Sequence, residues 1–133
     1  MSEMIERTTM AGFRPHEHIR QRVEFQQIYE RGAKVHSRYA ILFILPTERA
    51  WSRLGIAATK KLGDAVVRNR AKRLIRETFR LCKIDGATAG LDIVVVPKRE
   101  LLDASLNALE TEYRSILTKY LGRRRGAGSH QRL

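Results

Sequence analysis

Cysteine is nearly missing from this chain: a single one, Cys82, excludes an internal disulfide and any cysteine-based zinc cluster. It falls among apolar residues, so it reads as a buried thiol rather than a nucleophile. Acids are also scarce, with 14 Asp and Glu against 26 Lys and Arg, which leaves a net charge of +12 and a pI near 10.7. The carboxylates of Asp64, Glu77, Asp85 and Asp92 are dispersed, and no two share a face. His16, His18, His36 and His130 lack the spacing of metal ligands, and His16-Glu17-His18 reads as terminal polarity. No catalytic residue and no metal ligand is therefore assigned to the protein. Long hydrophobic runs are lacking too. The longest, Ala40 to Pro46, is far too short for a bilayer, and Met1 to Arg7 lacks the basic-then-apolar order of a secretory signal. A cytoplasmic location without a membrane partner is expected.

What remains is globular in character. A chain of 133 residues with 43% apolar and 30% charged content suits one domain with a modest core. Self-repulsion at +12 destabilises so small a fold unless a polyanion neutralises it, and nucleic acid is the commonest such partner. Residues 1–17 show no periodicity and read as a flexible leader, 18–121 as a single α/β domain, and 122–133 as a basic flexible tail containing Arg123-Arg124-Arg125.

Within the domain, a helix is expected from His18 or Ile19 to Arg31, closed by a left-handed Gly32. Ile28 suits its core face. Phe25 and Tyr29, four apart, stack on another side and can border a second surface. Tyr39 to Leu45 reads as a strand apolar on both parities and ended by Pro46, so both its faces are partly covered or one carries a groove. Arg53 to Thr59 reads as a further strand, antiparallel to the first because the link is short. Trp51, in that link, suits a lid on the core or a contact residue. A helix from Asp64 to Cys82 follows, then a turn at 85–90, a strand from Leu91 to Val96 closed by Pro97, and a helix from Leu101 to Leu121. Its apolar side carries Leu102, Leu106, Leu109, Tyr113, Ile116, Leu117 and Tyr120.

The segment 60–80 is the most informative. It holds eight basic residues (Lys60, Lys61, Arg68, Arg70, Lys72, Arg73, Arg76, Arg80) against two acids, Asp64 and Glu77. At about 100° per residue, Val67, Ala71, Leu74, Thr78 and Cys82 share one side with Ile75 at its margin. Asn69, Arg73, Arg76 and Arg80 lie nearly opposite, with Lys72 nearby, and Arg68 and Arg70 flank the core face. Asp64 suits an N-cap, with Gly63 allowing the tight turn before it. Arginine forks grip phosphate pairs or stack on bases, an Asn amide can also read a base edge, and lysines add less directional charge. Lys60, Lys61 and the amides at the helix start add a local anion site. The pattern predicts a cationic helix face for RNA. A merely solvated face would need more than two acids to balance its charge.

Lys60-Lys61-Leu62-Gly63-Asp64-Ala65-Val66-Val67-Arg68-Asn69-Arg70-Ala71-Lys72-Arg73-Leu74-Ile75-Arg76 resembles the signature of the bacterial ribonuclease P protein component, with Arg68-Asn69-Arg70 at its centre. The likeness covers about residues 18–121, including Phe25, Gly32, the strand to Pro46 and Gly55. It implies an α+β fold: a small two-layer α/β sandwich of the ribosomal protein S5 domain 2-like kind, in the order αβββαβα. The sheet would be mixed and about four-stranded, with a left-handed βαβ crossover. General rules favour the opposite hand.

The resemblance also implies a role as accessory protein of an RNA-based endoribonuclease, which removes the 5′ leader of precursor tRNA. The partners are then the catalytic RNA and precursor tRNA, with no obligate protein partner, and Mg²⁺ is held mainly by the RNA. Carried over by position, Lys60, Lys61, Arg68, Asn69, Arg70, Lys72, Arg73 and Arg76, with Arg80 on the same face, would contact the catalytic RNA. Phe25, Tyr29 and Phe43 would line a cleft for the single-stranded leader. Two positions depart from the pattern: Tyr29 where phenylalanine is frequent, and Asp64 where the residue is usually uncharged or basic. Three other classes stay open on composition alone. A ribosomal-type RNA-binding protein would lack a leader cleft, a metal-dependent protein nuclease would cut without RNA, and a duplex-DNA reader would need a dimerising or turn-helix element.

Overall fold

A computed structural model describes residues 15–82 and 90–132, with 123–132 described by their backbone alone. Helix α1 (Arg22–Arg31) leads into strands β1 (Ala33–His36), β2 (Ala40–Pro46) and β3 (Arg53–Ile56). Helix α2 (Ala65–Cys82), strand β4 (Leu91–Pro97), a 3-10 turn (Arg99–Asp103) and helix α3 (Leu106–Arg132) complete the expected αβββαβα order. The turn expected at 85–90 falls outside the described residues, apart from Gly90.

The sheet runs β1-β2-β4-β3. Strand β4 pairs antiparallel with β2 and parallel with β3. The third strand thus runs opposite to β2, as its short link predicts, yet does not pair with it. Strand β4, the most apolar of the four, takes the central place between them, because only that position covers both its edges and both its faces. Helix α2 carries the chain from β3 back to the start of this parallel neighbour.

Register sorts the side chains onto two faces. Ala40, Leu42, Ile44, Leu54, Leu91, Ile93 and Val95 join Ala71, Ile75, Phe79 and Cys82 of α2 and Leu109, Tyr113, Ile116 and Leu117 of α3 in the main core. Phe43 and Leu45, with Val94 opposite Phe43, point the other way, where Ile19, Phe25 and Ile28 cover them. The double parity of β2 follows from this. One face is sealed by two helices, and the other is only partly roofed by α1.

Two details of α1 depart from expectation. It begins at Arg22 rather than near His18, because His18 bridges to Leu54 and the Ile19 N–H donates to the Leu54 carbonyl at 2.9 Å. Extended backbone at the edge of β3 competes with helix there, and wins. Residues 15–17, expected within a loose leader, form a 3-10 turn in which Glu17 is buried. The Trp51 indole N–H donates to the His16 carbonyl at 3.2 Å, so this ring fastens the turn rather than capping the core. Gly32 is extended (φ −76°, ψ 158°), not left-handed. It is needed for closeness instead: a Cβ there would lie 2.7 Å from the Ile28 carbonyl oxygen and 3.2 Å from that of Ile44.

On α2 the buried stripe is Ala71, Ile75, Thr78, Phe79 and Cys82, with Val67 and Leu74 only partly covered. Phe79 is absent from the stripe read in the sequence, yet it is among the largest fully buried side chains and sets its ring 6.5 Å from that of Tyr113 on α3. Cys82 is buried, as expected, and burial pushes its thiol pKa up and keeps it neutral. Helix α3 starts at Leu106 because the 3-10 turn consumes Arg99–Asp103, and the Ser105 hydroxyl then accepts the Ala108 N–H at 3.0 Å. Its backbone runs to Arg132, beyond the expected end at Leu121. Among the described residues no helix is long and apolar enough to cross a membrane.

Candidate nucleic-acid interface

Helix α2 presents the first surface. Asp64 caps it as the sequence predicts: its Oδ1 accepts the Val67 N–H at 3.0 Å, a contact whose loss costs about 1 kcal/mol. Gly63 packs against the first turn so closely that a Cβ would meet the Val67 Cβ at 2.9 Å. With the apolar stripe docked on the sheet, Asn69, Arg70, Arg73 and Arg76 are exposed and Lys72 half-exposed, while Lys60 and Lys61 are exposed in the turn ahead. The cationic residues do not all have the same freedom. Arg80 is held by Glu77, its Nε donating to Oε1 at 3.2 Å and its second nitrogen bonded to Oε2. That guanidinium draws the Glu77 carboxyl below the usual carboxylate range. Arg70 donates from Nη2 to the Leu102 carbonyl at 3.2 Å and so ties α2 to the 3-10 turn before α3. Arg68 is half-buried, with its Nε enclosed and without a hydrogen-bond partner among the described residues. Arg73, Arg76, Lys60 and Lys61 are left as the charges most available to a partner.

Phe25, Tyr29 and Phe43 form the second surface. Their rings make a contiguous row, Phe25 to Tyr29 at 6.3 Å and Tyr29 to Phe43 at 4.9 Å, the latter nearly edge-on. The Lys34 ammonium lies 5.8 Å from the Phe43 ring centre. Phe25 fits because β3 offers Gly55 beneath it; a Cβ there would lie 2.8 Å from the Phe25 Cζ. Tyr29 is the outermost of the three, at 37% exposure, and burial of its remainder raises its phenol pKa, so the hydroxyl stays protonated. A half-exposed row of rings beside a lysine is a platform for unstacked bases, with a cation at hand for the phosphates. The two surfaces meet through the turn after β3: Ala57 packs among the aromatic residues, whereas Leu62 enters the main core. Lys60 and Lys61 lie between them in the chain.

A third feature is not read from the sequence. Asp92, 4% exposed, accepts from Arg53 Nε at 3.0 Å and from a terminal nitrogen at 2.8 Å, and from Arg49 Nη1 at 3.1 Å. Arg53 also donates to Glu24 of α1 at 3.0 Å. The Asp92 hydrogen bonds, foremost, hold the Arg53 pKa above its usual value, with Glu24 adding to the effect. This network joins α1 to β3 and β4 and fixes how α1 sits over the sheet. An aspartate flanked by Leu91 and Ile93 in an apolar strand was the available signal, since a carboxylate buried there requires a cation.

The ribonuclease P family profile matches residues 13–121. The ribonuclease P protein component of Thermoanaerobacter sp. (strain X514) is 32% identical over 101 residues, covering 76% of this chain and 86% of its own. That of Desulfovibrio desulfuricans is 43% identical over 91 residues, 67% of this chain and 69% of its own. Among solved structures, the ribonuclease P protein of Thermotoga maritima superposes with a TM-score of 0.68 at 30% identity, over 77% of this chain and 96% of its own. The Staphylococcus aureus protein gives 0.67 at 30% identity, over 78% and 94%. The chain belongs to the ribonuclease P protein family, and its role is that of a ribonuclease P subunit in tRNA processing.

Proposed function

We propose that the chain joins a catalytic RNA through the outer face of α2 and holds the single-stranded 5′ leader of precursor tRNA on the Phe25–Tyr29–Phe43 row, in the cytoplasm. The observation that carries this reading is the row itself. Three rings gather on the sheet face that α1 leaves partly open, beside Lys34. The ribosomal-type alternative predicts no such row and no preference for a 5′ leader. Among the described residues no three His, Cys, Asp or Glu side chains stand together to hold a metal ion. Asp92 and Glu24 are both engaged by Arg53. In this reading Mg²⁺ is held mainly by RNA phosphates. The protein's own share is to neutralise phosphate repulsion and to place the leader.

Salt dependence tests the α2 interface. Arg73→Ala and Arg76→Ala each weaken binding to the catalytic RNA and each lower the slope of log affinity against log salt by about one. Arg80→Ala changes the slope less, because Glu77 already neutralises that guanidinium. Unchanged slopes in both the Arg73 and Arg76 variants would show that the outer face of α2 does not meet RNA.

A further inference from the structure

The aromatic row does not end at Phe43. Lys34 lies on β1 directly across from Phe43, and His36 across from Ile41, so both side chains emerge on the aromatic face of the sheet. Among the described residues β1 is the outer strand, with one edge left unpaired in the sheet. Beyond that edge a groove of about 260 Å³ runs between β1 and α3. Lys34, Val35 and His36 form one wall, and Ile116, Lys119 and Tyr120 the other. Val35 points toward α3, whereas Lys34 and His36 are exposed, as is Lys119 opposite. Glu112, the one acid among the described residues that line the groove, accepts the Arg38 N–H at 3.3 Å at its margin.

We propose that this groove between β1 and α3 takes the upstream part of the RNA leader, as a single strand that leaves the aromatic row at Lys34 and crosses the edge of the sheet. The proposal rests on the leader-binding reading and extends it by naming where a longer leader goes. Three observations support it. Lys34 belongs to both places: its ammonium stands over Phe43 while the residue lines the groove, so the path from ring row to groove is unbroken. Lys34 of β1 and Lys119 of α3 both line the groove, so it carries cations suited to a phosphate chain. The unpaired edge of β1 adds backbone N–H donors that can reach phosphate or sugar oxygens without reading sequence. None of these contacts depends on base identity.

The test compares precursor tRNAs with leaders of about 4 and about 12 nucleotides, spanning the range of single-strand site sizes, each bound to the assembled ribonucleoprotein. His36→Ala combined with Lys119→Ala removes a hydrogen-bonding ring from one wall and a charge from the other, both at exposed positions, so the fold is kept. The expected result is roughly three- to tenfold weaker binding of the long-leader substrate and less than a twofold change for the short one. Equal losses on both substrates, or none on the long one, would overturn the proposal. Tyr29→Ala in the same assay separates this from the reading beneath it. If that variant still prefers precursor over mature tRNA as strongly as the unaltered protein, the aromatic row does not hold the leader and the path has no starting point. If it loses that preference while the groove variant shows no length dependence, only the extension fails.

Discussion

Alanine at Tyr29 lowers the affinity of the assembled enzyme for precursor tRNA by roughly 5- to 150-fold, the equivalent of about 1–3 kcal/mol for one stacked base, and leaves mature tRNA unaffected. Of the three rings Tyr29 is the one best suited to the experiment. It is the most exposed, so its removal disturbs little packing, and it stands 4.9 Å from Phe43, so its loss breaks the row in the middle. Tyr29→Phe keeps the ring and loses only the hydroxyl, and it retains most of the affinity if stacking carries the contact. Phe25→Ala is a poorer probe, because that ring also fills the space above Gly55 and its removal costs stability as well. Binding measured separately for precursor and mature tRNA checks the prediction; an equal loss for both would show that the ring serves the fold and not the leader.

Asp92→Ala destabilises the free protein by about 3–5 kcal/mol, since it strands a nearly buried arginine without its main partner. Arg53 is 11% exposed and directs its fork at both Asp92 oxygens, so water cannot readily replace the carboxylate. Glu24→Ala costs less, because Glu24 is 28% exposed and shares Arg53 with Asp92. Urea unfolding should show a lower midpoint at unchanged slope for both variants, with Asp92→Ala far the larger. A loss below about 1 kcal/mol for Asp92→Ala would mean that hydrophobic contact alone positions α1. The two predictions are connected: the network holds α1 against β3 and β4, and α1 carries two of the three rings.

The geometry of both candidate surfaces was legible in the sequence for the same reason. A helix fixes which residues share a face, so the amphipathic pattern of 64–82 and the four-residue spacing of Phe25 and Tyr29 translate directly into geometry. What spacing could not supply was competition between elements. His18 and Ile19 have helical neighbours, but an unpaired edge of β3 claims their backbone. The antiparallel direction of β3 relative to β2 followed from loop length, whereas the insertion of β4 between them depends on contacts made some forty residues later in the chain. Gly32 signalled a special backbone position, and the reason proved to be close approach to Ile44 rather than a left-handed turn. Helical phase alone admitted too narrow a stripe on α2, so Phe79 was overlooked although its size makes it a principal core residue. Equal treatment of the cations also hid a distinction that only partners reveal: among the described residues Arg80 and Arg70 are engaged within the protein, and Arg73 and Arg76 are not. The hand of the βαβ crossover rested on the family likeness, since general rules point the other way.

The decisive measurement is cleavage of a 5′-labelled precursor tRNA at low Mg²⁺, with protein alone, catalytic RNA alone and the two together. The expected result is cleavage at the mature 5′ end that is far faster in the mixture than with RNA alone, and none with protein alone. Cleavage by the protein by itself, or a mixture no faster than the RNA despite confirmed binding, would contradict it.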